Sequence, residues 1–316
     1  MRVLLLCHKD FVPDKKVKSV AVADNSLWRT EYYVREALKR LGYKVKICAI
    51  ENTLTPLKND IKKFKPKVVF NLVEEFCGEG LLEPFVVSYL EAVKQPFTGC
   101  GSLGLIMAQN KIAAKVVLNS AKVLTPGNKK YPKIVKLLNE ESSRGITDSS
   151  VVHSVEEEKI QIDKLKNEYD STIFTEEYIR GREIHVAVLM RRGQYYAAPL
   201  WETTFGRKKG ARIISEKVKW NFAYRIRVGV ELVPALNIGK SLVKKIQNTA
   251  IKACRALEVT GHARVDIRLT QDNKIYVLEV NPNPEISYGD EFAECIRSGG
   301  TEYDDMIKGI VMEALR

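Results

Sequence analysis

The 316-residue chain has no apolar run that approaches the roughly 20 residues of a membrane span, which excludes a spanning helix. Its opening, MRVLLLC, is too short an apolar stretch for a secretory leader before charge resumes. The six cysteines (Cys7, Cys48, Cys77, Cys100, Cys254, Cys295) form no C-x-x-C pair, and the four histidines are scattered. Neither a disulfide frame nor a zinc site is expected, and the thiols read as buried groups of a reducing compartment, so a cytoplasmic location is expected. Internal repeats and low-complexity tails are also missing. Basic residues exceed acidic ones, 51 to 39, for a net charge of +12. Yet no block of roughly five or six lysines occurs, and aromatics do not interleave with arginines. The charge is read as a surface property plus a phosphate site, with nucleic acid unlikely as a partner and no membrane partner.

What is present is concentrated near the C-terminus, in HARVDIRLTQDNKIYVLEVNPNPEIS. It reads as two strands and a turn. Val265, Ile267 and Leu269 alternate with Arg264, Asp266 and Arg268; Tyr276, Leu278 and Val280 alternate with Val277, Glu279 and Asn281. A two-residue loop at Asp272–Asn273 pairs Gln271 with Lys274, and outward counting sets Asp266 opposite Glu279 and Arg264 opposite Asn281. Such cross-strand β-carbons lie roughly 4.5–5.5 Å apart. Two carboxylates that close repel unless one is protonated or a cation intervenes. Two readings follow. One is a solvated face on which Arg264 and Arg268 neutralise the acids. The other is a hard divalent cation, Mg²⁺ or Mn²⁺, held by two acids and an amide oxygen. Pro282 and Pro284 end the strand just past Asn281, at an open edge.

Upstream, strands alternate with helices: RVLLLC, a helix capped by Asn25–Ser26 with Leu27, Val34, Leu38 and Leu41 in helical spacing, YKVKICAI, PKVVFNL, and the helix LLEPFVVSYLEAV. This predicts an α/β fold with an open parallel sheet over residues 1 to about 105. A small α+β unit follows: NKIAAKVVLNSA helical, PKIVKLL a strand, SVEEEKIQIDKLKNEYD an amphipathic helix and TIFTEEYI a strand. REIHVAVLM and QYYAAPLW open a third unit. ETTFGRKKGARIISEKVKW reads as a long polar loop, a candidate lid. A helix from about Ile238 to Leu257 leads into the hairpin.

GHARVDIRL…IYVLEVNPNP resembles the D-alanine–D-alanine ligase branch of the ATP-grasp superfamily. So, in the same order, do NLVEEFCGEGLLEPFVVSYLEAVKQPFTGCG, AQNKIAAK, IVKLLNEESSRGI and TEEYIRGREIHVAVL. The resemblance implies a three-domain ATP-grasp fold: a Rossmann-like N-terminal domain at 1–105, and two α+β domains, at 106–183 and 184–316, that sandwich ATP. It implies a carbon–nitrogen ligase that is ADP-forming: ATP phosphorylates a carboxylate, and an amine attacks the acyl phosphate.

Residue by residue, Asp266, Glu279 and Asn281 resemble the family ligands for two magnesium ions, and Arg264 the arginine that steadies the acyl phosphate. Lys111 and Lys136 match the lysines that grip the nucleotide phosphates. Ser142 and Ser143 fall in the loop that folds over them; Glu141 stands there in place of the usual glycine and Leu137 in place of proline, which predicts a stiffer, more acidic loop. Glu176, Glu177, Tyr178 and Ile179 sit where the family reads adenine, mainly through backbone groups, and Glu183 where it holds the ribose. Lys219, with Lys217 behind it, is the lid lysine expected to reach phosphate.

Two departures bear on the substrate. The turn CHKDFVPDKKVKS has neither the glycines nor the glutamate by which the family holds the first D-alanine. Asp290–Glu291 replaces the serine–leucine pair that holds the acceptor carboxylate. The expectation is a small-molecule pair, an amino acid or related carboxylate and an amine, other than two D-alanines. A homodimer is compatible with the reading. The rival readings are a ligase of two D-alanines and a catalytically silent nucleotide-binding module.

Overall fold

The computed structural model describes residues 1–14, 20–24, 26–138, 143–207 and 209–316, with only the backbone at Val20, Ala21, Trp220 and Phe222. Strands β1 (Arg2–His8), β2 (Lys44–Ile50) and β3 (Val68–Asn71) form a parallel sheet in the order β2-β1-β3. The apolar run of β1 follows from burial on both faces. Val3 and Leu5 pack toward helix Arg29–Arg40, while Leu4 and Leu6 join Leu57, Val86 and Leu90 on the other side. Helix Arg29–Arg40 starts later than its expected cap. Trp28 is its N-cap and gives no side-chain bond, because Ser26 Oγ instead donates to Ala23 O at 2.7 Å, at the end of the preceding helical turn. Leu27 is 79% exposed, and Asn25 lies outside the described residues.

A second, antiparallel sheet takes β4 (Lys133–Leu137), β5 (Val151–Val152) and β6 (Ile173–Glu177) in the order β5-β4-β6. Helix Val155–Glu168 covers it through Leu165. Ser154 caps that helix by accepting from Glu157 N–H at 3.2 Å, and Glu156, Glu157 and Glu158 complement the positive end of its dipole.

The third sheet contains β7 (Arg182–Arg191), β8 (Gln194–Ala197), β9 (Trp201–Thr204), β10 (Glu231–Pro234), β11 (His262–Leu269) and β12 (Ile275–Pro282). Its order is β10-β9-β7-β11-β12, and β8 pairs with β7. Helices Ser102–Gln109, Lys111–Ser120 and Lys240–Ala256 fill one core with Ile184, Val186, Val265 and Ile267. Helices Glu291–Ser298 and Tyr303–Glu313 pack with Tyr32, Val34 and Leu38 in another, which ties the last segment of the chain to the first sheet.

The stretch expected as one long polar loop is built otherwise. It starts on β9, whose Glu202 pairs with Val233 of β10 farther along the chain, and ends in helix Glu216–Trp220, with helix Phe222–Val228 directly after it. Ser215 and Asn221 cap these helices, Gly229 at φ 66° ends the second, and Phe205, Val218 and Val230 make a small core beneath them.

Candidate active site

The hairpin that carries the site reaches its expected register by a different route. Asp266 faces Glu279 and Arg264 faces Asn281, but the turn spans residues 271–273, with Asn273 at φ 58° and Thr270 N–H donating to Lys274 O at 3.1 Å. This three-residue loop shifts the pairing by one, so Ile267 faces Val277 and Leu269 faces Ile275. A bulge at Leu278 then restores the count. It also corrects the expected faces of β12: Val277 is buried in the core with Val280, while Glu279 and Asn281 turn to the side of Asp266.

Asp266 is only 6% exposed and is the most heavily bonded group of the cluster. Its Oδ1 accepts from Arg264 Nε and His185 Nδ1, both at 2.8 Å; its Oδ2 accepts from Arg264 Nη2 and Asn281 Nδ2, both at 2.9 Å. Burial alone would raise its pKa, but Arg264 and His185 outweigh burial and hold the carboxyl well below the usual range. Asn281 Nδ2 also donates to Glu279 Oε1 at 3.3 Å, so the amide nitrogen lies between the two carboxylates, where positive charge is favoured. Among the described residues no ion pair holds Glu279. Nor do three His, Cys, Asp or Glu side chains there form a metal cluster. The set that opens on the cleft is two carboxylates and an amide, residue types whose oxygens suit Mg²⁺ or Mn²⁺, and the amide nitrogen now holds the place between the acids that such an ion would take.

His185, absent from the sequence reading, lies on β7 directly across from Asp266. Its Nε2 meets Thr203 Oγ1 at 2.8 Å. Burial would lower its pKa, but the Asp266 carboxylate prevails and raises it. The signal was available: one polar residue inside EIHVAV, as Asp266 is inside RVDIRL. Arg268 does not neutralise Asp266 or Glu279. It bonds Glu183 Oε2 at 2.5 Å and Gly181 O at 3.0 Å. A β-carbon at Gly181 would come within 2.3 Å of Leu269 O, so this close approach needs glycine.

Across the cleft, Glu176 accepts from Lys136 Nζ at 2.7 Å and also pairs with Lys115, a residue the sequence reading passed over. Burial lowers both lysines, Lys136 to about 8 and Lys115 to about 7, the latter also pushed by Lys136. Asn110 caps the helix that begins at Lys111, accepting from Ala113 N–H at 3.0 Å. Ser143 has φ 62°, and Gly145 N–H donates to Glu216 Oε2 at 2.9 Å, which joins the serine loop to the helix that carries Lys219. Lys217 sits 4.6 Å over the Tyr224 ring and, unlike Lys219, does not line the cleft. Ser142 and Glu141 lie outside the described residues. The N–H groups of Glu177 and Tyr178 donate to Gly127 O and Pro132 O, at 2.7 and 2.8 Å.

These groups surround one cleft of about 1170 Å³. Arg264, Asp266, Glu279 and Asn281 line it, as do Lys111, Lys136, Ser143 and Lys219. So do Glu176, Glu177, Tyr178, Ile179 and Glu183. At one end it is walled by Glu31, Glu74, Glu285, Asp290 and Glu291, with Arg29 among them. Arg29 Nη1 reaches Asp290 at 3.3 Å, and Arg264 Nη1 reaches Glu291 Oε2 at 3.3 Å. Burial pushes Glu31 up to about 8, and Glu285 and Glu74 add to this. Its folded value lies above the ordinary one, so its contribution to stability is full below about pH 4 and is lost as pH rises through about 8. Glu31→Gln, neutral throughout, should therefore melt higher than the parent at pH 8–9, with the gap closing toward pH 4. Calorimetry across that range checks this, and a gap independent of pH would contradict it.

Residues 107–312 match the family model described as D-ala D-ala ligase C-terminus. A D-alanine–D-alanine ligase of Aquifex aeolicus (strain VF5) is 27% identical over 298 residues, which cover 90% of this chain and 94% of that protein. The VanG D-Ala:D-Ser ligase from Enterococcus faecalis has a similar structure, with a TM-score of 0.72 at 17% identity over 99% of both chains. The D-alanine–D-alanine ligase from Bacillus anthracis complexed with ATP gives 0.68 at 18%, over 100% of this chain and 97% of that one. The fold is the three-domain ATP-grasp fold, and the class is that of ATP-dependent, ADP-forming ligases. The chain belongs to the D-alanine–D-alanine ligase family. No helix among the described residues is long and apolar enough to cross a membrane.

Proposed function

We propose that this ligase joins a carboxylate to an amine through an acyl phosphate, and that its substrates are a pair other than two D-alanines. The observation that carries the reading is the convergence of the described candidate residues, Lys217 excepted, on one cleft. In the reaction a carboxylate oxygen attacks the γ-phosphorus of ATP, the bond to the β-phosphate oxygen breaks, and ADP leaves. The amine, once it has lost a proton, attacks the acyl carbon, and inorganic phosphate departs with the bonding pair.

In this reading the nucleotide lies between the units at 106–183 and 184–316. Lys111, Lys136, Ser142 and Ser143 grip its phosphates, and Lys219 closes on them from the lid. Glu176 to Ile179 read adenine; with Glu176 paired to Ile134 in the sheet and the N–H groups of Glu177 and Tyr178 already used, the base is left Ile179 N–H and carbonyls. Glu183 holds the ribose, positioned by Arg268. Arg264 aims a fixed guanidinium at charge that develops on the acyl group. Asp266, Glu279 and Asn281 would hold the divalent ions, Mg²⁺ or Mn²⁺ and two by resemblance, which supply charge that offsets that of the transferring phosphoryl group. Asp290 and Glu291 line the cleft in place of the family's serine–leucine pair, each paired to an arginine, Arg29 and Arg264, and that replacement supports a changed acceptor. A phosphate-release screen with ATP and Mg²⁺, against amino acids of both hands alone and in pairs, tests the reading.

The ribose assignment gives a separate prediction. Glu183→Ala should weaken ATP binding by about 1–3 kcal/mol, with a smaller loss for 2′-deoxy-ATP. Calorimetric titration of both nucleotides measures this. Equal losses would remove Glu183 from that hydroxyl.

A further inference from the structure

We infer that the substrate end of the cleft reads an uncharged carboxamide on one of the two substrates, seated on His262 with Asn71 beside it. This rests on the ligase reading and names the substrate class within it.

The cleft side of β11 carries Arg268, Asp266, Arg264 and His262 in that order, at alternate positions about 6–7 Å apart. In the ligase reading Arg268 serves the ribose, Asp266 the ions and Arg264 the acyl group. His262, one step further on, therefore faces the body of a substrate and not the nucleotide. It is 4% exposed, and its ring packs 5.5 Å from that of Phe292. Among the described residues neither ring nitrogen has a hydrogen-bond partner, and Nδ1 is buried without one. An imidazole this deep and unpaired is costly, and on a cleft wall it marks where a ligand supplies the partner. Burial lowers its pKa to about 4, so the ring is neutral near pH 7.

Asn71, at the end of β3, is its counterpart from the first sheet. It is 3% exposed; its Oδ1 accepts from Val73 N–H at 3.2 Å, while its Nδ2 is buried without a partner. Both residues line the one cleft. A hydrogen-bonded seam runs between them: Asn71 N–H donates to Thr98 Oγ1 at 3.0 Å, Cys100 N–H to Asn283 Oδ1 at 2.8 Å, and Asn283 N–H to His262 O at 3.1 Å. The unused groups decide the chemistry. Asn71 offers an N–H, and a neutral imidazole offers one donor and one acceptor. A carboxamide presents a carbonyl and two N–H groups, so a single group can serve both residues. An ammonium has no acceptor for the Asn71 N–H. A carboxylate would meet Glu83, which accepts from Asn283 Nδ2 at 3.0 Å in the seam itself.

The probes are glutamine and asparagine with their apolar isosteres norleucine and leucine, in both hands, each as the partner of a panel of amino acids; threonine against valine is the hydroxyl control. Phosphate release should favour at least one carboxamide over its isostere by about 10-fold or more in kcat/KM, because the apolar chain leaves His262 and Asn71 unpaired. In His262→Leu that ratio should collapse to within about 2-fold, with His262→Gln, which keeps a hydrogen-bonding group, in between. The melting temperature of His262→Leu should hold or rise, since an apolar side chain replaces an unpaired polar one. A purely structural role would move the melting temperature and leave the ratio. Ratios near one for both carboxamide pairs, a preference confined to threonine, or a ratio that His262→Leu preserves overturns the inference while leaving the ligase reading intact. If no pair releases phosphate, the ligase reading fails. Calorimetric titration of the same four amino acids into the protein with ADP and Mg²⁺ then decides the inference alone. Binding that favours a carboxamide and depends on His262 sustains it; equal or undetectable binding sinks it.

Discussion

Glu279→Gln is expected to lower turnover by about 10²–10³-fold while the protein keeps its fold. Glu279 tests the metal assignment more cleanly than Asp266. Asp266 is buried and receives bonds from Arg264, His185 and Asn281. Its loss strands two charged or chargeable partners, and breaking such a buried pair costs about 3–5 kcal/mol. Asp266→Asn should therefore also cost at least 10² in turnover, but with a lower melting temperature. Glu279 is only partly buried and, among the described residues, bonds only the Asn281 amide. Gln keeps its size and removes the charge a divalent ion needs. Turnover should fall with the melting temperature nearly unchanged, and ATP binding measured without metal should change little. Near-normal turnover at saturating Mg²⁺ would reduce the opposed acids to a structural pair.

Arg264→Lys carries the second large effect. The guanidinium forms a fork on Asp266, at 2.8 and 2.9 Å, and spans from there to Glu291. Lysine keeps a positive charge beside Asp266, so folding should survive. It cannot keep the planar fork or its aim toward the acyl group. A loss of about 10²-fold or more in kcat is expected, with KM for ATP much less affected. If kcat holds and only stability falls, Arg264 is merely the neutralising partner of Asp266.

Much of this site was legible because its residues break a pattern. Asp266 interrupts an otherwise apolar strand, and the pairing count set it opposite Glu279. That count succeeded through two errors of one residue that cancel, a longer turn and the Leu278 bulge. Neither is encoded by alternation, since a bulge appears only as an apolar residue out of phase. His185 broke the alternation of β7 in the same way, but its partner lies 81 residues away, across a strand pairing that periodicity cannot supply. Lys115 carried no signal of its own, being one lysine on an amphipathic helix until Glu176 is placed beside it. In the polar stretch after Trp201, the caps Ser215 and Asn221 and the stop at Gly229 were readable as local chemistry. Strands β9 and β10 were not, because four residues each are too few for a period and their register comes from the sheet. The acidic end of the cleft was half visible. Asp290 and Glu291 stood out against the family pattern, whereas Glu31 becomes meaningful only when its helix docks on residues 285–291.

The most direct measurement is product analysis with ATP, Mg²⁺ and D-alanine as sole amino acid, run beside the paired-substrate screen and with Glu279→Gln as control. The account predicts ADP and inorganic phosphate in equal amounts with an amide product, formed only when a suitable carboxylate and amine are both present. It predicts little turnover on D-alanine alone and a loss of about 10²-fold or more in the variant. Efficient D-alanyl-D-alanine synthesis at millimolar or lower substrate would contradict the substrate claim, and AMP with pyrophosphate in place of ADP and phosphate would contradict the chemistry.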